Sequence, residues 1–270
     1  MVNLLIAAAV AAAMPQAAPA AGPPTEPAMF VVHDADTTIY LFGTFHALDS
    51  KTQWYSDGVR NAFQSSNELV LETLIPEGPG PVIPGKPSLP IRAPSVVPSA
   101  SFLATTRMAI NAGQSQGMQV ENGADMVLRH IAEEEGKPVE GLETLEFQLN
   151  MFNSLPPATA PKAQPQPAGG QPATQEPMQS LSKTMAQMES AWKRGDQSVF
   201  VNMLDQLDRE SPNTYRLMFT ERNARWADWI AARLQTPGTV FIAVGAGHLA
   251  GKDSVLVRLA EKGIGSQRVY

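Results

Sequence analysis

Twice in this chain an apolar, β-branched and aromatic run stops at a glycine and presents a histidine three residues later. The first copy reads TTIYLFGTFHALD, with Gly43 and His46, and the second reads GTVFIAVGAGHLAG, with Gly245 and His248. A buried strand ending in glycine lets the backbone turn at the carboxyl edge of a sheet, where open α/β sheets hold their ligands. Both copies precede a helical pattern, whereas the other histidines, His33 and His130, do not share this context. The expectation is an α/β fold with a central mixed sheet built from two similar β-α-β units at the chain ends. A largely helical insertion lies between them, and equivalent loops bring His46 near His248.

With 270 residues and 43 % hydrophobic content, the chain can bury a core without covalent staples, and residues 29–270 are read as a single domain. It has no cysteine, which excludes thiol nucleophiles, zinc–thiolate sites and disulfides. A formal net charge of -6 and the lack of a dense basic cluster argue against nucleic acid as partner and favour a peptide or small molecule. Residues 1–21 have the short apolar run and Ala/Pro-rich tail of a secretory signal peptide, without a basic start, and Ala18-Pro19-Ala20 as cleavage site. Export to the periplasm or medium is expected, a disordered leader being the alternative. No apolar stretch is long enough for stable membrane insertion.

Along the chain, Met29 to His33 and Thr38 to Phe42 read as a hairpin around Asp34-Ala35-Asp36. A helix over Ser56 to Ser66 and a strand ending at Glu72-Thr73 complete a β-α-β unit, with a right-handed crossover making the strands parallel. Proline-rich loops are expected at 76–98 and 156–177. Between them lie a weak helix at 102–111, a clearer one at 123–136, a strand ending at Glu143-Thr144 and a further helix over Leu145 to Leu155. Met178 to Leu234 is helical with a break near Gly195-Asp196. Leu181, Met185, Met188 and Trp192 recur at three- and four-residue steps and read as core filling. Strand, Gly-x-x-His loop, helix and a closing strand at 266–270 end the chain.

His46, His248, Glu72 and Glu143 all follow predicted strand ends, so the sheet itself would gather two imidazoles and two carboxylates. Such a set suits a catalytic divalent cation, which accepts nitrogen and oxygen and leaves a position for water. The competing readings are a structural imidazole bonded to loop backbone and, for each glutamate, a carboxylate favoured by a helix N-terminus. Arg222 and Asn223 could serve an oxyanion and a substrate, or simply form a solvated helix face with intrahelical ion pairs. No Gly-x-Ser-x-Gly elbow, phosphate-binding loop or dinucleotide fingerprint is present.

The segments IYLFGTFHALD, NELVLET, GADMVLRHIAEEEGKPVEGLETLEFQL, ERNARWADWI and FIAVGAGHLAGKDSVLVRLAEKG together resemble the TraB/PrgY/GumN family. That family is related to the Tiki metalloproteases and more distantly to erythromycin-esterase-like and ChaN-like proteins. The resemblance implies an α/β fold and a site flanked by Gly43/His46 and Gly245/His248. It also implies a functional glutamate matching Glu72 and an Arg-Asn pair matching Arg222 and Asn223, while Glu143 falls in a family segment. By the same resemblance the chain is expected to be a metal-dependent hydrolase, peptidase-like, using manganese or cobalt, with zinc as a further option. His46, His248 and Glu72 would be the metal ligands, and Glu72, Arg222, Asn223 and Glu143 the catalytic groups. The alternative is a non-catalytic binding or inhibitory protein that sequesters a peptide or small ligand in the same cleft; a haem-handling role is suggested only by the distant relatives.

Overall fold

The computed structural model describes residues 26–74, 99–155 and 175–269. The expected leader at 1–21, the loop at 76–98 and residues 156–174 of the second proline-rich stretch lie outside the described residues. Strands β1 (Met29–His33) and β2 (Thr37–Thr44) form the expected hairpin, with His33 opposite Thr38. The Asp34 carboxylate closes its turn by accepting from the backbone N–H groups of Asp36 and Thr37.

Helix α1 (Asp57–Gln64) starts where Ser56 accepts from the Val59 amide, and buries Val59, Ala62 and Phe63 at helical spacing. It leads to β3 (Glu68–Thr73). Helices α2 (Ala100–Gln114) and α3 (Ala124–Glu134), strand β4 (Val139–Glu143) and helix α4 (Leu145–Ser154) follow. Then come α5 (Gln175–Lys193), which stops before Gly195, α6 (Ser198–Glu210) and α7 (Pro212–Tyr215). A π-helical turn at Arg216–Thr220 runs into α8 (Glu221–Arg233). Strand β5 (Gly238–Gly245), α9 (Val255–Glu261) and the two-residue β6 (Gln267–Arg268) end the described chain.

The mixed sheet has the order β4-β3-β5-β2-β1-β6. Strands β4, β3, β5 and β2 run parallel, and β1 and β6 antiparallel to their neighbours. Strand β3 is parallel to β2, as a crossover requires, yet they do not touch: β5 lies between them. The closing strand pairs antiparallel with β1 and so runs parallel to β5, with β2 and β1 between them: the C-terminal unit repeats the strand, loop, helix and parallel return of the N-terminal one, again without the two strands touching.

Alternating side chains send the sheet into two cores. Phe42, Leu69, Leu71 and Phe241 face Phe63 of α1, Leu128 of α3 and Trp192 of α5. Ile39, Leu41, Val70 and Ile242 face Trp226 and Ile230 of α8 and Leu259 of α9. Burial on both sides explains why β2 and β5 read as near-continuous apolar runs. Each fully buried aliphatic side chain there contributes about 1.5–3 kcal/mol.

Candidate active site at the carboxyl edge of the sheet

Because β2 and β5 are adjacent, parallel and in a register that pairs Thr44 with Gly245, their carboxyl ends finish side by side. The two motif loops therefore leave the sheet together. Neither Gly43 nor Gly245 has a positive φ, so a sharp turn is not what requires glycine. Close approach is. A Cβ on Gly43 would lie 3.2 Å from Cα of Ala246, and one on Gly245 would lie 3.0 Å from Nε2 of His46 and 3.1 Å from Oε1 of Glu72. Each glycine makes room for the opposite half of the site.

Glu72 is the meeting point. Its Oε1 lies 3.9 Å from Nε2 of His46 and 3.7 Å from Nε2 of His248, and accepts a 2.6 Å hydrogen bond from the Gly245 amide. Its Oε2 accepts from Nη2 of Arg222 at 2.7 Å. Arg222 also clamps Glu143, with Nε 3.1 and 2.9 Å from the two carboxylate oxygens. Its Nη1 donates to the Met218 carbonyl at 3.3 Å, across the π-helical turn that precedes it. Arg222 and Asn223 are 3 % and 1 % exposed, so the solvated helix face is ruled out. Glu143 receives a further contact from Arg225 at 3.3 Å. All six residues singled out in the sequence thus join one network.

Asn223 orients His248. The Asn223 Nδ2 donates to the Asp253 carbonyl at 2.7 Å, which turns its Oδ1 toward Nδ1 of His248 at 2.6 Å. Nδ1 of His248 therefore carries the proton, and Nε2 offers a lone pair, 3.2 Å from Nη1 of Arg222. The ring is held between Trp226 and Phe219, with centroids 4.4 and 4.9 Å away. Burial, helped by the Arg222 charge and opposed by Glu72, lowers its pKa to about 3, so the imidazole is neutral.

One participant went unnoticed in the sequence: Asp125, whose Oδ2 lies 3.2 Å from Nδ1 of His46. The Ala124 amide donates to the Phe45 carbonyl at 3.0 Å, pinning the start of α3 to the loop after β2. Gly123 permits this, since a Cβ there would lie 2.4 Å from the His46 carbonyl oxygen. Although 57 % of the His46 side chain is uncovered, that surface faces a recess inside the molecule. Burial disfavours its charge, but Asp125 and Glu72 outweigh burial and raise its pKa to about 9. Burial likewise opposes ionisation of Glu72, and its cationic neighbours and the Gly245 amide hold its pKa well below the ordinary carboxylate range. With His248 neutral, the cations that do this at neutral pH are Arg222 and His46.

The donors fit a divalent cation in type and tautomer. Both imidazoles engage Nδ1 with an oxygen acceptor, leaving Nε2 toward Glu72, an arrangement that orients histidine ligands. The charge now at the centre of the cluster is the Arg222 guanidinium, and among the described residues no three His, Asp or Glu side chains have the spacing of a formed cage.

Above the cluster lies a cavity of about 630 Å³, walled mostly by apolar side chains from α2, α5 and α6. Among the described residues no helix is long and apolar enough to cross a membrane. No curated protein and no solved structure matches the chain. A family model, TraB/PrgY/gumN, matches residues 28–79 and 87–268 and so takes in both glycine–histidine loops and every residue of the cluster. The chain belongs to the TraB/PrgY/gumN family.

Proposed function

We propose that the protein is a hydrolase of amide or ester bonds, a peptidase in the first instance, working on a peptide or small molecule in this cavity. The observation that carries the reading is the convergence of His46 and His248 on one oxygen of Glu72 at a cavity floor. His46, protonated at neutral pH and steered by Asp125, holds a proton on Nε2 ready for a leaving group. Glu72 is the carboxylate beside it, ionised at neutral pH and placed to orient an attacking water by accepting its hydrogen bond. Arg222 supplies fixed positive charge for a developing oxyanion, and Glu143 and Asn223 keep Arg222 and His248 in position. His46, His248 and Glu72 would hold a divalent manganese, cobalt or zinc ion. When bound there, such an ion would lower the pKa of a water and polarise a carbonyl. Nε2 of His46 must lose its proton to ligate, so cation binding would strengthen as pH rises.

Peptide cleavage with added manganese or cobalt, by wild type and by His46→Ala, tests the assignment: equal activity in both removes it. A second reading, a non-catalytic binding protein, is favoured by one feature: both Glu72 oxygens already have donors. It calls for binding without turnover and for tolerance of Glu72→Gln. Export is proposed from the apolar, Ala/Pro-rich first 21 residues, and the net charge of -6 keeps nucleic acid out of the proposed partners.

A further inference from the structure

The helices between β3 and β5 wall the cavity above the polar floor. Met118, Met185, Met188, Met203 and Met218 line it, five of the chain's twelve methionines, and they come from four different segments. Thioether side chains are unbranched and polarizable, and line surfaces that accept apolar ligands of varied shape. Core packing alone does not account for them, because all but Met118 remain partly exposed, toward this space. Ile110 and Val120 line the same cavity and are 38 % and 41 % exposed, which marks its mouth. An apolar path thus runs from the surface to Glu72. The polar side chains away from the floor, Gln114, Gln119 and Glu121, are themselves exposed, so a charged group seated deep in the walls would lose its hydration without a partner. The volume lies in the range of sites that enclose a small ligand.

We propose that this cavity is a specificity pocket for a flexible apolar group, aliphatic or aromatic, joined through an amide or ester to the carbonyl that meets Glu72, with Met185 and Met188 as a principal wall. The proposal rests on the hydrolase reading and adds the substrate class to it.

The test uses the full chain carrying Glu72→Gln, so that binding is read without turnover, and fluorescence anisotropy with three labelled amides. One carries a decanoyl chain, one the peptide Leu-Phe-Leu-Phe and one the polar peptide Ser-Asn-Ser-Asn. At least one apolar probe should bind about tenfold or more tighter than the polar one, and Met185→Glu with Met188→Glu should weaken it by about tenfold or more. Met185→Leu with Met188→Leu should keep it within about threefold, as expected of a volume-conserving swap. The tighter of the two apolar probes identifies an acyl or a peptidyl source. Should the glutamate pair not fold, as judged by its melting curve, Met185→Gln alone takes its place and must still weaken the apolar probe. Equal affinity for apolar and polar probes, no binding of any probe, or indifference to the polar substitutions overturns the pocket. Apolar binding without hydrolysis by wild type under manganese or cobalt would sink the hydrolase reading and leave the pocket standing.

Discussion

Nδ1 of His248 sits 2.6 Å from Oδ1 of Asn223, and Asn223 is itself anchored through Nδ2 to the Asp253 carbonyl. The amide therefore decides which nitrogen of a buried, neutral imidazole faces Glu72. Asn223→Ala should leave the fold in place yet lower turnover by about tenfold to a hundredfold, the usual scale for losing an orienting partner. Asn223→Asp should raise the His248 pKa from about 3, because a carboxylate would face its ring. Nitrogen-resolved NMR titration of the ring checks the second point, and an unmoved pKa would contradict this account of the tautomer.

Arg222 is the countercharge for two buried carboxylates, Glu72 and Glu143, whose side chains are 14 % and 4 % exposed. Replacing it by methionine should destabilise the protein by about 3–5 kcal/mol, the cost of leaving buried charge uncompensated. Lysine should recover only part of this, since it cannot bridge both carboxylates as a planar fork does. Denaturant titration of the two variants measures the difference; a lysine variant as stable as wild type would show that fork geometry is irrelevant.

Gly245→Ala introduces a methyl group about 3 Å from both His46 Nε2 and Glu72 Oε1. Because the loop side chain of His46 can yield more readily than the sheet, the expected result is a folded protein with activity down by at least about tenfold, in line with the sensitivity of catalysis to small displacements. A melting curve paired with a turnover assay checks it. Full activity would mean that the two motif loops do not need their close contact.

The histidines set opposite pH limits on stability. His248 has a pKa near 3 when folded and the ordinary 6.5 when unfolded, so the unfolded chain takes up the proton first and stability falls as pH drops below 6.5. Glu72, with its lowered pKa, acts in the same direction below about 4.5. His46, raised to about 9, contributes stability that is complete below 6.5 and is lost as pH climbs to 9. Melting temperature should peak near pH 6.5. His248→Gln should flatten the acid limb and His46→Gln the alkaline one; the reverse pattern would refute both assignments.

The strand ends carried most of the site in plain view. Gly43, Glu72 and Gly245 close runs of buried residues and Glu143 closes a partly covered edge strand, so a stop signal located each of them, and parallel pairing did the rest. Asp125 was hidden because an acid in the first turn of a helix is ordinary dipole complementation; the Ala124–Phe45 hydrogen bond and the Leu48–Gln119 bridge, both between segments far apart in sequence, bring it to His46. Arg222 could be placed by family resemblance but not by spacing, since a helix face reads alike whether it meets water or a carboxylate pair. Met185 and Met188 escaped for a related reason: side chains lining a hollow and side chains filling a core recur with the same period.

The strand order has a bearing on biosynthesis. Strand β5, drawn from residues 238–245, fills the gap between β2 and β3, which are over a hundred and sixty residues older as the polypeptide emerges. Neither early strand has its central neighbour until then, and closing so long a loop is slow. The candidate site is thus complete only when the last third of the chain is in place: a fragment ending before Arg222 has one of the two site imidazoles, no guanidinium clamp and an open seam through its sheet.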